Sequence, residues 1–279
     1  MKTILLPTDF SATAQNAADY AVQLAQQIGA TRLVLFHAYD VPVAVDPLMP
    51  GLPVPELDAF RSAAESRIYA LRHQYLEKYG ESFLFDVQLH FGSLLGGLSD
   101  VCTQLPIDLI VMGITGGGAV EETLVGSNTL GVANELTIPL LIVPPHAQFQ
   151  HISKVLMACD FEAAETTIPV DLLQKLLTST QSKLHVINVE DREDDRSLPA
   201  KIFGESAAVY STLASLNPSY HFLEHRDFTE AVNGLAEKES VQIIVNLARK
   251  RGFFDKIFRI SHTKKLAFHS HLPVLVLRR

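Results

Sequence analysis

The residues with the plainest chemistry lie between Gly113 and Ser127. There the chain reads GITGGGAVEETLVGS, directly after the apolar run DLIVM at 108–112. The spacing is Gly113, two residues, Gly116, nine residues, Gly126, Ser127. Glycines leave backbone N–H groups uncovered and permit positive φ. A run of such groups between a buried strand and a helix makes a cradle for phosphate. Ser127 brings a hydroxyl to the helix start, where serine is also a favoured cap. The pattern points to a nucleotide. The loop holds no lysine and the chain has no GxxxxGK[ST] motif, so this is not a Walker cradle.

The elements that must position this loop repeat. MKTILLPTD (1–9) aligns with ISKVLMACD (152–160), and RLVLFHAYD (32–40) with KLHVINVED (183–191), both at one offset. DLIVMG (108–113) aligns with VQIIVN (241–246), and IPLLIVP (138–144) with LPVLVLR (272–278). The chain is therefore read as a tandem duplication, with domains at 1–146 and 152–279 joined near PPHAQFQ (144–150). Its 279 residues suit two domains of about 140 each. Within each unit short apolar runs alternate with helix-period segments, two of them closed by Gly29 and Gly80. The runs are continuous rather than alternating, which predicts a parallel sheet covered on both faces. The expected class is α/β: two doubly wound, Rossmann-like units.

In such sheets ligands sit at the carboxyl ends of the strands, where strand order reverses. That selects Pro7, Thr8 and Asp9 after the first strand, His37 and Ala38 after the second, and Met112 and Gly113 after the fourth. Asp9 suits a ribose hydroxyl or a nucleotide-bound Mg²⁺, and equally suits capping of the following helix, as do Ser11 and Thr13. Backbone groups at Ala38 suit an adenine edge. His37 is read as lining the crevice rather than as an acid–base group.

Composition bounds the function class. Hydrophobic residues make up 47% and mean hydropathy is +0.16, enough for a core. The opening MKTILLPTDF is not a signal peptide, and no apolar run approaches the roughly 20 residues of a membrane span. Cys102 and Cys159 stand apart in apolar segments and are read as core. A cytoplasmic protein is expected. Net charge is −8, with the basic excess gathered at 249–265 (Arg249, Lys250, Arg251, Lys256, Arg259, Lys264, Lys265). That cluster is read as a solvated face, with an anion or acidic partner as the alternative. An acidic chain without aromatic interleaving is not expected to bind nucleic acid. His269 and His271, two apart, lack a supporting ligand, and no metal site is assigned. The Pro-rich stretch 40–56 is read as a partner contact, a flap or a plain loop. Glu121 and Glu122 are placed on the loop's solvated surface.

Taken together, these residues resemble the universal stress protein family in its tandem form. The likeness rests on LLPTDFS near the start, the five-strand pattern, and Gly113, Gly116, Gly126 and Ser127. It covers 1–146 well and 152–279 more weakly. It implies sheet order 3-2-1-4-5, pairing through the last strand, and an ATP or AMP site formed by Thr8, Asp9, Ala38, Met112, Gly113, Gly116, Gly126, Ser127 and Asn128. It also implies a stress-response regulator rather than a dedicated enzyme; no catalytic residue is assigned. Slow metal-dependent ATP hydrolysis and a nucleotide-free interaction module are the alternatives. The second half departs from the pattern. Asn246 and Arg249 fall opposite Gly113 and Gly116, and Ile260 opposite Gly126, while Asp160 and Ser261 keep the places of Asp9 and Ser127. The second domain is read as nucleotide-silent, retained to pair with the first, with homodimerisation as a further option.

Overall fold

TILLP forms β1 (Thr3–Pro7), buried at every position. It leads into α1 (Ala12–Ile28), whose buried alanines (Ala14, Ala17, Ala18, Ala21 and Ala25) let the helix lie close to the sheet. Gly29, at φ 65°, ends that helix in the left-handed conformation a Cβ disfavours. There follow β2 (Arg32–Tyr39), α2 (Leu57–Tyr79), β3 (Leu84–Phe91), α3 (Leu94–Gln104), β4 (Leu109–Gly113), α4 (Ser127–Glu135) and β5 (Leu140–Val143). The second half repeats the theme. Its elements are β6 (Lys154–Ala158), α5 (Val170–Thr180), β7 (Lys183–Glu190), a helix α6 at 207–213, β8 (Ser219–Glu224), α7 (Phe228–Glu239), β9 (Ile243–Leu247) and β10 (Val274–Leu277). This computed structural model describes residues 1–40, 57–114, 127–159, 168–190, 207–247 and 272–278. No described helix is long and apolar enough to cross a membrane.

All ten strands join one sheet, ordered β3-β2-β1-β4-β5-β10-β9-β6-β7-β8. Each half has the 3-2-1-4-5 order, and every pairing is parallel except β5 with β10. In that antiparallel pair Leu141 faces Leu275, flanked by Leu140 with Val276 and Ile142 with Val274. Leu141 meets its own repeat counterpart, and Leu140 and Ile142 each meet the counterpart of the other, so a pseudo-twofold axis runs through the Leu141–Leu275 pair. One sheet face carries a single core that spans both halves, covered by α1, α2, α5 and α6. The other face carries two smaller cores, one under α3 and α4 and one under α7.

The strands are not uniformly buried. The central strands β1, β4, β5 and β9 are buried at every position, but edge strand β3 is half exposed and pairs Asp86 with Arg32 of β2. β8, at the opposite edge, is likewise half exposed. An edge strand lacks a neighbour on one side, so the expectation of full coverage fails there.

Strand register corrects the alignment of the two halves. Leu5 pairs with Ile110 as Leu156 pairs with Ile244, and Met112 pairs with Ile142 as Asn246 pairs with Val276. Asn246 therefore stands in the place of Met112, not of Gly113. The counterpart of Gly113 is Leu247, because Gly113 pairs with Val143 as Leu247 pairs with Leu277. The sequence alignment slipped one residue, which in a strand moves a side chain to the opposite face.

Gln27 of α1 ties the halves together. Its amide donates to the carbonyls of Ile152 (2.8 Å) and Thr180 (3.1 Å), and its oxygen accepts from the N–H of Ile152 (2.8 Å). Gln27→Ala would leave those partly buried backbone groups unpaired. A loss of about 2 kcal/mol in urea-unfolding free energy is expected; a change within about 0.5 kcal/mol would show that water replaces the amide.

Candidate functional site

The carboxyl ends of β1, β2 and β4 enclose a cleft of about 320 Å³. Pro7, Thr8, Asp9, His37, Ala38, Met112, Gly113 and Asn128 line it, with Ala14, Asp40, Gly92, Ser93 and Leu94 completing the wall. The structure thus brings together these eight residues selected for the site; Ser127 is the first residue of α4. Gly116 and Gly126 lie outside the described residues. So do Glu121, Glu122, residues 41–56, Asp160, the basic cluster 249–265 (Arg249, Ile260 and Ser261 with it), His269 and His271. Sequence reasoning missed the contribution of Gly92, Ser93 and Leu94, at the junction of β3 and α3. The Gly-Ser pair after FDVQLHF was its available signal: Ser93 caps α3, accepting from the N–H of Gly96.

Local hydrogen bonds shape the floor. Thr8 Oγ1 accepts from the N–H of Phe10 (2.9 Å), and Asp9 Oδ1 accepts from the N–H of Ser11 (2.9 Å). Ser11, not Asp9 or Thr13, caps α1 through Ala14 N–H. Two side-chain turns in succession hold Phe10 at φ 65°, unusual for a residue with a Cβ. Its ring packs on His37 at 4.5 Å, and the guanidinium of Arg67 of α2 lies 4.2 Å from its centroid. The turn leaves the Asp9 side chain exposed at the cleft.

Where β1 ends, the ladder to β2 changes hands. Thr8 N–H still donates to the carbonyl of Phe36 (2.8 Å). The Thr8 carbonyl accepts instead from His37 Nδ1 (2.8 Å). In a parallel strand, groups two residues apart point the same way, so the N–H and C=O of Ala38 point past the end of β1 toward the cleft. That is a donor–acceptor pair of backbone groups beside an apolar patch made by Met112 and Leu94, suited to the edge and face of a base. Nδ1 holds the donated proton, so the neutral ring keeps Nε2 as an acceptor.

Gly113 has a different role from the one its motif suggests. A Cβ there would lie 2.6 Å from the carbonyl oxygen of Thr13 and 2.9 Å from its carbon. The glycine lets the first turn of α1 sit against the end of β4, which sets the distance between Asp9 and the β4 side of the cleft. In the second half Leu247 fills this place.

Burial lowers the pKa of His37, assisted by Arg67 and opposed by the Thr8 carbonyl and Asp9. The folded state resists protonation more than the unfolded chain does, so stability is full above about pH 6.5 and falls as pH drops below it. Asn188, the repeat counterpart of His37, makes the same bond to the Cys159 carbonyl at 3.1 Å. His37→Asn is therefore expected to fold normally and to lose less stability than the wild type between pH 7.5 and 5.5. Equal losses in urea unfolding would contradict this assignment.

Among the described residues no group of three His, Cys, Asp or Glu side chains is placed to hold a metal ion. The nucleoside-sized volume, the backbone pair at Ala38, the apolar patch and the carboxylate of Asp9 fit a base and its ribose.

The model of the universal stress protein family matches residues 1–144 and again 151–278. Among solved structures, a universal stress protein from Archaeoglobus fulgidus is 16% identical, with 99% of this chain and 98% of that one covered and a TM-score of 0.68. Two chains from Pseudomonas aeruginosa, one assigned to the same family and one functionally unknown, are each 13% identical. They cover all of this chain, and 93% and 92% of their own, at TM-scores of 0.60 and 0.59. At these identities the likeness speaks for the fold. No curated protein sequence matches the chain significantly.

Proposed function

The chain belongs to the universal stress protein family, and on that footing we propose that it is an adenine-nucleotide-binding regulator. ATP or AMP binds in the first unit, residues 1–146. The second unit, 152–279, is a degenerate copy without a phosphate cradle. The observation that carries this reading is the cleft at the switch point of the first half, where Ala38 offers a backbone donor and acceptor beside Met112 and Asp9.

In this reading the base lies against Met112 and Leu94 with its edge at Ala38. Asp9 accepts from the ribose hydroxyls. The phosphates extend to the loop that holds Gly116 and Gly126 and to Ser127 and Asn128 at the start of α4, whose dipole favours an anion. Mg²⁺, where present, arrives with the nucleotide. Occupancy biases a partner or dimer surface, which makes the bound nucleotide a signal.

Calorimetric titration with ATP and AMP tests the site. Asp9→Ala is expected to weaken both about tenfold, the cost of a charge-assisted bond to the ribose. Asp9→Asn retains the turn to Ser11 and separates that loss from a change in the backbone. Affinity unaffected by either variant would overturn the placement. Multiple-turnover phosphate release that disappears in Asp9→Ala would convert the regulator into a hydrolase.

A further inference from the structure

His185 of β7 and His221 of β8 face each other across the outermost strand pair of the second half. His185 is buried and His221 half-buried. Nδ1 of His185 lies 3.0 Å from Nε2 of His221. The ring centres are 5.3 Å apart, which is that distance plus the reach of each nitrogen from its own ring centre, and the ring planes differ by only 19°. Both nitrogens therefore lie on the line between the centres. The rings meet edge to edge, with the two in-plane nitrogen orbitals head-on. A metal ion bound by both rings would need a wider gap, or lone pairs that converge off that line. A single proton fits the gap as it stands.

The fold does not require this pair. His185 stands beside Leu156 as Val34 stands beside Leu5 in the first half. His221 stands beside Ile187 as Gln88 stands beside Phe36. Valine and glutamine thus serve the same two places without a shared proton.

Proton counting gives the pair a property that neither ring has alone. With both rings neutral, one inner nitrogen donates and the other accepts. The first added proton goes to the outer nitrogen of the donor ring; the inner bond survives and becomes charge-assisted. The acceptor ring already carries its own proton outside. The second added proton can go only to the nitrogen that accepts the bond, which breaks it and sets two cations face to face. Burial lowers the pKa of His185, as do His221, Lys154 of β6 and Lys183 of β7, while Glu239 of α7 raises it. Glu239 is already engaged: Lys154 Nζ donates to its carbonyl at 2.6 Å and lies 3.9 Å from its carboxylate. The folded pair resists charge more than the unfolded chain does, so stability tied to it is full above about pH 6.5 and falls below that.

We propose that the His185–His221 pair is a proton-operated latch on the sheet edge. It ties β8 to β7 while it carries one added proton or none, and it releases β8 when the second arrives. Acid then loosens the edge at the opposite end of the sheet from the first unit, and the second unit serves as a pH sensor. This inference does not rest on the nucleotide reading.

The test is an NMR titration of the imidazole side chains in the full chain between about pH 8 and pH 4, paired with amide hydrogen exchange over the same range. The two rings are expected to take up their protons in two steps at least about two pH units apart, a hundredfold difference in proton affinity. In His221→Gln, His185 should titrate in one step. Protection of the β8 amides, corrected for the intrinsic pH dependence of exchange, should fall at least about tenfold through the second step in the wild type. It should hold steady there in the double variant His185→Val/His221→Gln, which carries the residues of the first half. His221→Gln alone changes a half-buried edge position, so the titration stays readable should the double variant fail to fold. Two rings that titrate independently, no second step above about pH 4, or β8 protection that ignores the second step or falls equally in the double variant would each overturn the latch.

Discussion

Gly113→Val is expected to cost roughly 3 kcal/mol of folding stability, at the upper end of overpacking effects. The added Cβ would meet the backbone of Thr13, at 2.6 Å from its oxygen, and the methyls extend further in the same direction. Backbone cannot rotate away as a side chain does. Relief requires lifting the first turn of α1 and with it the Ser11 cap and the Thr8–Phe10 turn. Urea unfolding of this variant should therefore show a lowered midpoint, and nucleotide binding should fail as a consequence. Leu247→Val, at the equivalent place in the second half, removes one methylene from a packed side chain and should cost less than about 1.5 kcal/mol. Equal effects at the two positions would contradict the register that pairs them.

Gly126→Val separates binding from folding. Loss of ATP affinity by about a hundredfold is expected, equivalent to two charge-assisted hydrogen bonds from backbone N–H groups. The branched side chain covers amides that a phosphate must approach and disfavours positive φ. With Gly126 assigned to the proposed phosphate end, unfolding free energy is expected to change by less than about 0.5 kcal/mol. Gly116→Val should behave alike. The contrast with Gly113→Val is the informative part: three glycines of one motif, one required for helix–strand packing and two for the ligand. Retained ATP affinity in both loop variants would remove the phosphate end from the proposal.

Much of the architecture was legible because the apolar runs are short, separate and regularly punctuated. TILLP, LIVM and LLIV each had room for only one secondary structure, and Gly29 and Gly80 end helices as glycines do in the left-handed conformation. The crevice residues at the ends of β1, β2 and β4 followed from topology alone. What was not legible depends on relations across the sheet. One residue of slippage placed Asn246 opposite Gly113, because DLIVMG and VQIIVN align as plausible apolar runs at either offset; only pairing with β6 and β10 decides between them. The packing role of Gly113 needs the position of α1. The bond from His37 to Thr8, and its echo from Asn188 to Cys159, joins residues 29 apart whose types differ between the halves. Composition cannot reveal that a histidine and an asparagine serve one geometric purpose.

The central claim is a working nucleotide site in the first unit and no phosphate cradle in the second. It is tested most directly by denaturing the purified full chain, saturated with ATP and freed of excess, and counting the released phosphorylated adenine nucleotide per chain by mass spectrometry. The account predicts one. Two would mean that Leu247 and its neighbours cradle phosphate after all, and none would contradict the nucleotide site itself.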